Sequence, residues 1–304
     1  MKSANTNRSD LRELLPRLNP QKTTALSKKL AAPRLRTKRP QFEATGFGAT
    51  HVGCKRLANE DSFWILPKHS LFIVADGMGG HAGGQIASNI TTHEVGRQIV
   101  TQLHQAEQRA EVQRAPIDLF TLLKSCVFQA NLQVTRITDA YPELESMGST
   151  LTSLLVYGEN AYLAHLGDSR AYLIRDRQLI QISEDHSYVQ ELVNFGEITP
   201  QQALTHIRRN LILKSISRNS NFMNVEADVA SIKLREGDLF VLCSDGLIEH
   251  VRDDLILSTV LERGASSAPQ ALIDLANSSD HRSPSGIGTD NTTVIVVEIG
   301  KRRV

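Results

Sequence analysis

"STLTSLLVYGENAYLAHLGDSRAYLIRDRQLIQIS", residues 149–183, consists of four apolar runs cut by "GEN", "GDS" and "RDR". β-branched and aromatic residues fill the runs, and turn-forming residues separate them at hairpin spacing. The stretch therefore reads as consecutive antiparallel strands. Working outward, the period changes. Residues 70–76 (SLFIVAD) read as a buried strand, and "GGQIASNITTHEVGRQIVTQLHQA" follows with Ile86, Ile90, Val95, Ile99, Val100 and Leu103 near a helical repeat. A second helix is expected in "APIDLFTLLKSCVFQANLQVTRIT", opening at Pro116, and shorter helical segments at 187–195 and 199–206. The late strands "DLFVLCSDG" and "TTVIVVEIG" bracket two helix candidates, "DDLILSTVLERG" and "APQALIDLANSS". Strands in hairpin runs and helices in groups predict an α+β fold of antiparallel sheets covered by helices, not a parallel βαβ sheet. No linker-like stretch divides residues 42–304, so one domain is expected there.

The 304 residues are 40% hydrophobic and 22% charged, the balance of a globular domain. No stretch approaches the roughly 20 apolar residues that span a bilayer, and the N-terminus lacks the apolar core of a secretory signal. Cys54, Cys126 and Cys243 show no metal-binding spacing and are expected as buried free thiols in a reducing, cytoplasmic setting. The net charge of +1 hides an asymmetry. Residues 1–40 carry eleven Lys/Arg against Asp10 and Glu13, a net of +9, so the remaining 264 residues carry −8. Such a segment reads as a mobile basic extension; a tether to an acidic partner, nucleic acid or membrane surface, and an organelle leader, are the alternatives.

Acidic residues recur where apolar strands stop. "FIVADG" ends in Asp76, "LAHLGDSR" in Asp168 and "FVLCSDG" in Asp245, while "GTDNTTVIVV" places Asp290 before a strand and "RLANED" gives Glu60 and Asp61. One Asp-Gly is an ordinary turn. Five acidic strand ends point to a shared sheet edge, where carboxylates repel unless a cation holds them. Oxygen ligands suit Mg²⁺ or Mn²⁺ over zinc or copper. Gly77 to Ala82 also matches the dinucleotide fingerprint GxGxxG/A. Against that reading, no second strand ends in an acidic residue at the required distance, and Asp76 would face a pyrophosphate with no cation between them. No Lys-Ser/Thr follows the glycines, which excludes a Walker A loop.

In order along the chain, "GCKRLANED", "FIVADGMGGHAGG", "GSTLTSLLV", "AHLGDSRAYLIR", "SEDHSYVQELV", "LCSDGLIEHV" and "GTDNTTVIVV" resemble the metal-dependent Ser/Thr protein phosphatases of type 2C, in their bacterial form. The resemblance spans about residues 42–299. It implies an αββα sandwich of two antiparallel β-sheets flanked by helices, with residues 1–41 as a basic extension and 42–300 as the catalytic domain. It further implies hydrolysis of phosphoserine and phosphothreonine by a hydroxide bridging two Mn²⁺ or Mg²⁺ ions, without a phosphoenzyme. The substrates would be phosphorylated Ser/Thr proteins, the targets of an opposing Ser/Thr kinase.

By the same resemblance, Asp76 corresponds to the carboxylate that bridges both metals and Gly77 to the residue lending its carbonyl to the second. Asp245 and Asp290 correspond to the other carboxylates of the first metal. Glu60 and Asp61 fall at acidic positions in the outer shell of the second. Asp168 and Glu249 fall where a third metal binds, although an aspartate is common at position 249. Arg56 corresponds to the phosphate-binding arginine, whose planar fork suits two phosphate oxygens. Animal members carry a histidine, the proposed proton donor, where this chain has Met78. His81 is the nearby candidate, weighed against a capping or surface role. "EDHSYVQELVNFGEITPQQALTH" matches a flap beside the cleft, in which Asp185 and His186 are expected to order the loop. Ser149, Thr150 and Ser169 are expected as hydrogen-bonding turn residues and Trp64 as core. A catalytically silent module of the same fold is the competing functional class, opposed by the intact Arg56, Asp76, Asp245 and Asp290.

Overall fold

Leu71–Ala75 forms a strand (β3) whose five side chains are all buried, and its alternation sets the layering. Leu71 and Ile73 enter one apolar core, while Phe72 and Val74 enter another on the opposite face. A strand covered on both faces needs no polar side, hence the unbroken apolar run in the sequence. The structure is a computed structural model and describes residues 42–80, 83–113, 117–218, 225–278 and 288–302. The basic extension 1–41 and His81 lie outside the described residues.

β3 belongs to a five-stranded sheet in the order β11 (Asp228–Lys233), β7 (Asn160–Leu166), β6 (Leu151–Tyr157), β3, β2 (Ser62–Leu66). The second sheet runs β1 (Phe42–His51), β13 (Thr292–Lys301), β12 (Leu239–Cys243), β8 (Arg170–Arg175), β9 (Gln178–Gln181). All neighbours in both sheets are antiparallel. Between the sheets lie Phe72, Val74, Leu154, Leu173, Phe240, Leu242, Ile295 and Val297. Helices α1 (Gly83–Gln113) and α2 (Leu119–Ala140) cover the first sheet, and α6 (Asp253–Ala276) covers the second through Val241, Cys243, Val294 and Val296. This is the αββα sandwich the resemblance implied. No helix among the described residues is long and apolar enough to cross a membrane.

The structure corrects several expectations. The four runs of 149–183 are not one meander. β6 pairs with β7 and β8 with β9, but at Gly167–Ser169 the chain leaves one sheet for the other. "GDS" is thus a crossover, and Gly167 makes it with φ of +113°, a conformation that side chains disfavour. α1 fully buries Val95, Ile99 and Leu103 of its sequence pattern but not Ile86, Ile90 and Val100. Its fully covered stripe is Ala87, Ser88, Thr91, Thr92, Val95, Gly96, Ile99 and Leu103, with Ile86, Ile90 and Val100 packed at its margin. Two of its three hydroxyls are bonded: Ser88 Oγ donates to the Glu60 carbonyl (2.5 Å) and Ser62 Oγ meets Thr92 Oγ1 (3.0 Å).

α2 starts later than Pro116, because Asp118 caps it by accepting from the Phe120 and Thr121 amides. The two helices expected in 253–278 are both present, joined at a non-helical kink at Gly264 (φ 72°) and counted together as α6. Trp64 is half-buried and stacks on His93 at 4.7 Å between ring centroids. Among the cysteines, Cys126 and Cys243 are buried and free, whereas Cys54 is free but exposed.

Candidate metal centre at the strand ends

Antiparallel register brings the acidic positions together. Ser62 opposes Ala75, so the start of β2 lies beside the end of β3; Leu151 opposes Leu166, which adds the end of β7. In the other sheet Cys243 opposes both Val294 and Arg170, aligning the end of β12 with the starts of β13 and β8. Glu60, Asp61, Asp76, Asp168, Asp245 and Asp290 each sit one or two residues beyond these ends. The sandwich thus gathers at one edge residues that are 230 positions apart in the chain.

Asp76 is held through its backbone: its amide donates to Thr150 Oγ1 (2.9 Å), and the Thr150 amide donates to the Asp76 carbonyl (2.9 Å). Thr150 in turn meets Ser169 Oγ at 2.7 Å, so both hydroxyls orient the turn as expected. Gly77 and Met78 form a two-residue strand, β4, which pairs with β5 (Gly148–Ser149), and β5 pairs with β10 (Ile216–Ser217). A Cβ at Gly77 would lie 2.1 Å from the Gly84 carbonyl oxygen and 2.4 Å from that of Glu60, so only glycine fits. Asp61 is buried, and its Oδ2 accepts from Ser244 Oγ (2.7 Å). Asp245 opens the short helix α5 (Asp245–Ile248).

Crowding and burial act on these carboxyls together. Burial, then the charges of Asp61, Asp245 and Asp168, hold the Asp76 carboxyl well above the usual carboxylate range. Asp245 is raised likewise by burial and by Asp168, Asp290 and Glu249. Burial pushes Asp168 up to about 7, with Asp185 adding to it, and Asp61 to about 6, although Thr293 and Ser244 pull the latter back. Like charges this close raise one another's affinity for a proton, so the cluster favours a bound proton or a cation.

Do these residues fit hard cations? Among the described residues no three His, Cys, Asp or Glu side chains are grouped as metal ligands. Yet Asp61 Oδ1, Asp168 Oδ1 and Asp245 Oδ1 are buried without a hydrogen-bond partner. An unpartnered buried carboxylate oxygen is costly, and three within one acidic cluster make a donor set suited to Mg²⁺ or Mn²⁺. The residues fit the group.

Cationic side chains stand around the cluster. Arg56, half exposed, reaches Asp290 Oδ2 through Nη2 at 2.7 Å. Burial raises Glu249, while Arg209, 3.8 Å away, and Arg56 counter the rise. Asp185 takes the Arg170 guanidinium on both oxygens (2.9 and 2.7 Å). His186 Nδ1 accepts from the Gly167 amide (3.1 Å), so these two residues tie the flap to the crossover that carries Asp168. The flap holds α3 (Tyr188–Asn194) and α4 (Pro200–Ala203), the latter begun by a capping box between Thr199 and Gln202. Sequence reasoning missed Ser244, Asn291 and Arg209. The first two adjoin metal-type aspartates and the third ends "HIRR", but no spacing rule singles them out. A groove of about 660 Å³ between α1 and α2, lined by Gln98, Gln102, Arg109 and Thr121, contains none of the acidic cluster.

A family model described as protein phosphatase 2C matches residues 48–275. The serine/threonine protein phosphatase PstP of Mycobacterium tuberculosis is 36% identical over 247 residues, covering 81% of this chain and 43% of that protein. The chain thus spans less than half the length of that relative. The serine/threonine phosphatase stp of Listeria monocytogenes is 31% identical over 255 residues, covering 82% of this chain and 93% of that protein. Among solved structures, the catalytic domain of PstP in complex with two manganese ions superimposes with a TM-score of 0.68 at 32% identity, covering 86% of this chain and 100% of that one.

Proposed function

The chain belongs to the protein phosphatase 2C family, and we propose that it is a metal-dependent phosphoprotein phosphatase that removes phosphate from phosphoserine and phosphothreonine, opposing a Ser/Thr kinase. The observation that carries this reading is the acidic strand edge, with three buried carboxylate oxygens lacking partners and an arginine at its rim. Its relatives named above are serine/threonine phosphatases, one of them with manganese in its catalytic domain.

Two Mn²⁺ or Mg²⁺ ions would be held by Asp76, the Gly77 carbonyl, Asp245 and Asp290, with Glu60 and Asp61 in the outer shell and Asp168 with Glu249 at a third site. When bound, such ions supply the acidity that turns water into a nucleophile at neutral pH and offset charge on phosphate oxygens. The chain's own residues do the rest. Thr150 and Ser169 fix Asp76 through its backbone, and Ser244 fixes one oxygen of Asp61, leaving the other turned toward the cluster. Arg56 exchanges Asp290 for two phosphate oxygens and stabilises the charge they carry during displacement. His81 keeps its place as candidate proton donor; His81→Ala with unchanged kcat from about pH 6 to pH 9 would remove it. Residues 42–300 form the catalytic domain in this reading, preceded by a basic solvated extension, with a tether to an acidic partner or membrane surface as its alternative role. The free thiols of Cys126 and Cys243 support a cytoplasmic setting.

Hydrolysis of p-nitrophenyl phosphate and of a phosphothreonine peptide, with and without Mn²⁺, tests the proposal. Manganese-dependent turnover that disappears in Asp76→Asn supports it. Absence of turnover with Mn²⁺, Mg²⁺ or other divalent cations would favour the silent module.

A further inference from the structure

Residues 52–60 lead from β1 toward β2 and carry both Arg56 and Glu60, and the middle of this loop buries no side chain. Cys54 through Ala58 are exposed, and Leu57 presents its whole side chain to solvent (104% relative exposure). Such a loop keeps one conformation only through its backbone bonds. Three of those bonds meet on one buried side chain. Asn291 is 4% exposed; its Nδ2 donates to the Val52 carbonyl (2.9 Å) and the Ala58 carbonyl (3.0 Å), and its Oδ1 accepts from the Glu60 amide (2.8 Å). The same residue's backbone amide donates to Asp290 Oδ1 (2.8 Å).

We infer that Asn291 is a positioning residue: one carboxamide grips both ends of the Arg56 loop and holds Arg56 and Glu60 in register with Asp290. Only a carboxamide of this length meets the demand. Two carbonyls require two donors on one nitrogen and the Glu60 amide requires an acceptor beside it, which excludes Asp and Ser and fixes the amide's orientation. Neighbouring contacts leave little room for slack. The Cys54 amide donates to the Gly288 carbonyl (2.8 Å), and a Cβ on Gly53 (φ 79°) would lie 2.2 Å from the Asp290 carbonyl oxygen. On the other side, a Cβ on Gly246 would lie 2.0 Å from the Asn291 carbonyl oxygen, so α5 closes against the same residue. Asn291 therefore joins the loop, Asp290 and the helix begun by Asp245.

The kinetic consequence rests on the phosphatase reading of the site; the structural one does not. Asn291→Ala removes all three side-chain bonds to the loop. In the metal-free full-length chain, hydrogen exchange at the Glu60 amide and its loop neighbours is expected to quicken about tenfold or more, with exchange of the β3 and β12 amides unchanged. With Mn²⁺ and a phosphothreonine peptide, kcat/KM is expected to fall about tenfold, chiefly through KM. In the Arg56→Ala background, adding Asn291→Ala should lower kcat/KM by clearly less than in the wild-type background, because part of its effect runs through Arg56. Additive losses, or unchanged loop exchange, would overturn the inference. Asn291→Ser, which cannot reach both carbonyls, serves if the alanine variant does not fold; global unfolding of both would show the amide to be a general structural support and would also overturn it. An inactive wild-type chain would sink the phosphatase reading and leave loop exchange to decide this one.

Discussion

Metal-free protein should lose stability as pH rises, and manganese should reverse the trend. Asp61 and Asp168 are 7% and 8% exposed, and their carboxyls titrate at about 6 and about 7 against an ordinary 3.8. A carboxyl raised on folding holds its proton more tightly in the native chain than in the unfolded one. Its stabilisation is present below pH 4 and is lost as pH climbs through 6 and 7. At about 1.4 kcal/mol per pH unit, each group costs on the order of 3 kcal/mol by pH 8. Because both belong to one cluster, a combined loss of about 3–5 kcal/mol is the reasonable expectation. His165 works in the opposite sense. Burial lowers it to about 3, so its contribution is lost as pH falls below its ordinary 6.5 and grows as pH rises toward it.

The informative quantity is therefore the difference between metal-free and Mn²⁺-loaded chains, from which His165 cancels. Urea unfolding at pH 5, 6, 7 and 8 with EDTA or saturating Mn²⁺ measures it, in steps chosen to bracket the titration at about 6 and about 7. The gap should widen by roughly 1 kcal/mol or more per pH unit over this range, since the cation displaces protons from the cluster. A gap that stays constant with pH would show that these carboxyls are not where the metal binds.

Three further substitutions probe separate links. Gly77→Ala places a methyl within 2.1 Å of the Gly84 carbonyl and should weaken Mn²⁺ binding at least tenfold while far-ultraviolet circular dichroism stays native. Phe72→Ala empties the centre of the sandwich between Val74, Phe240 and Ile295 and should cost about 3–5 kcal/mol in urea unfolding, with the metal affinity of the surviving folded fraction unchanged. Asp118→Ala removes the cap of α2 and should lower stability by about 1 kcal/mol without altering turnover.

The sequence disclosed the layers and the acidic edge because both are repetitive. A strand buried on both faces must be apolar throughout, as in "LFIVA", and an acidic residue recurs where several apolar strands stop. The rest depends on partners that no period reports. β4, β5 and β10 have two residues each, too few to show alternation, and exist because distant strands align them. The turn "GDS" has the composition of a hairpin; only the sheet order shows that it crosses between layers and so delivers Asp168 to the shared edge. Ser88 and Thr92 stand in the buried stripe of α1 because Glu60 and Ser62 supply their partners. Asn291 and Ser244 read as ordinary polar neighbours of aspartates until the loop and Asp61 are folded against them.

Equilibrium binding of Mn²⁺ to the wild-type chain and to Asp76→Asn, followed by metal analysis after dialysis, shows whether the acidic strand edge holds the metal. The strand-edge carboxylates, with Asp76 at their centre, predict about two manganese ions per wild-type chain and at most one, weakly held, in the variant. Equal stoichiometry and affinity in both proteins would contradict it.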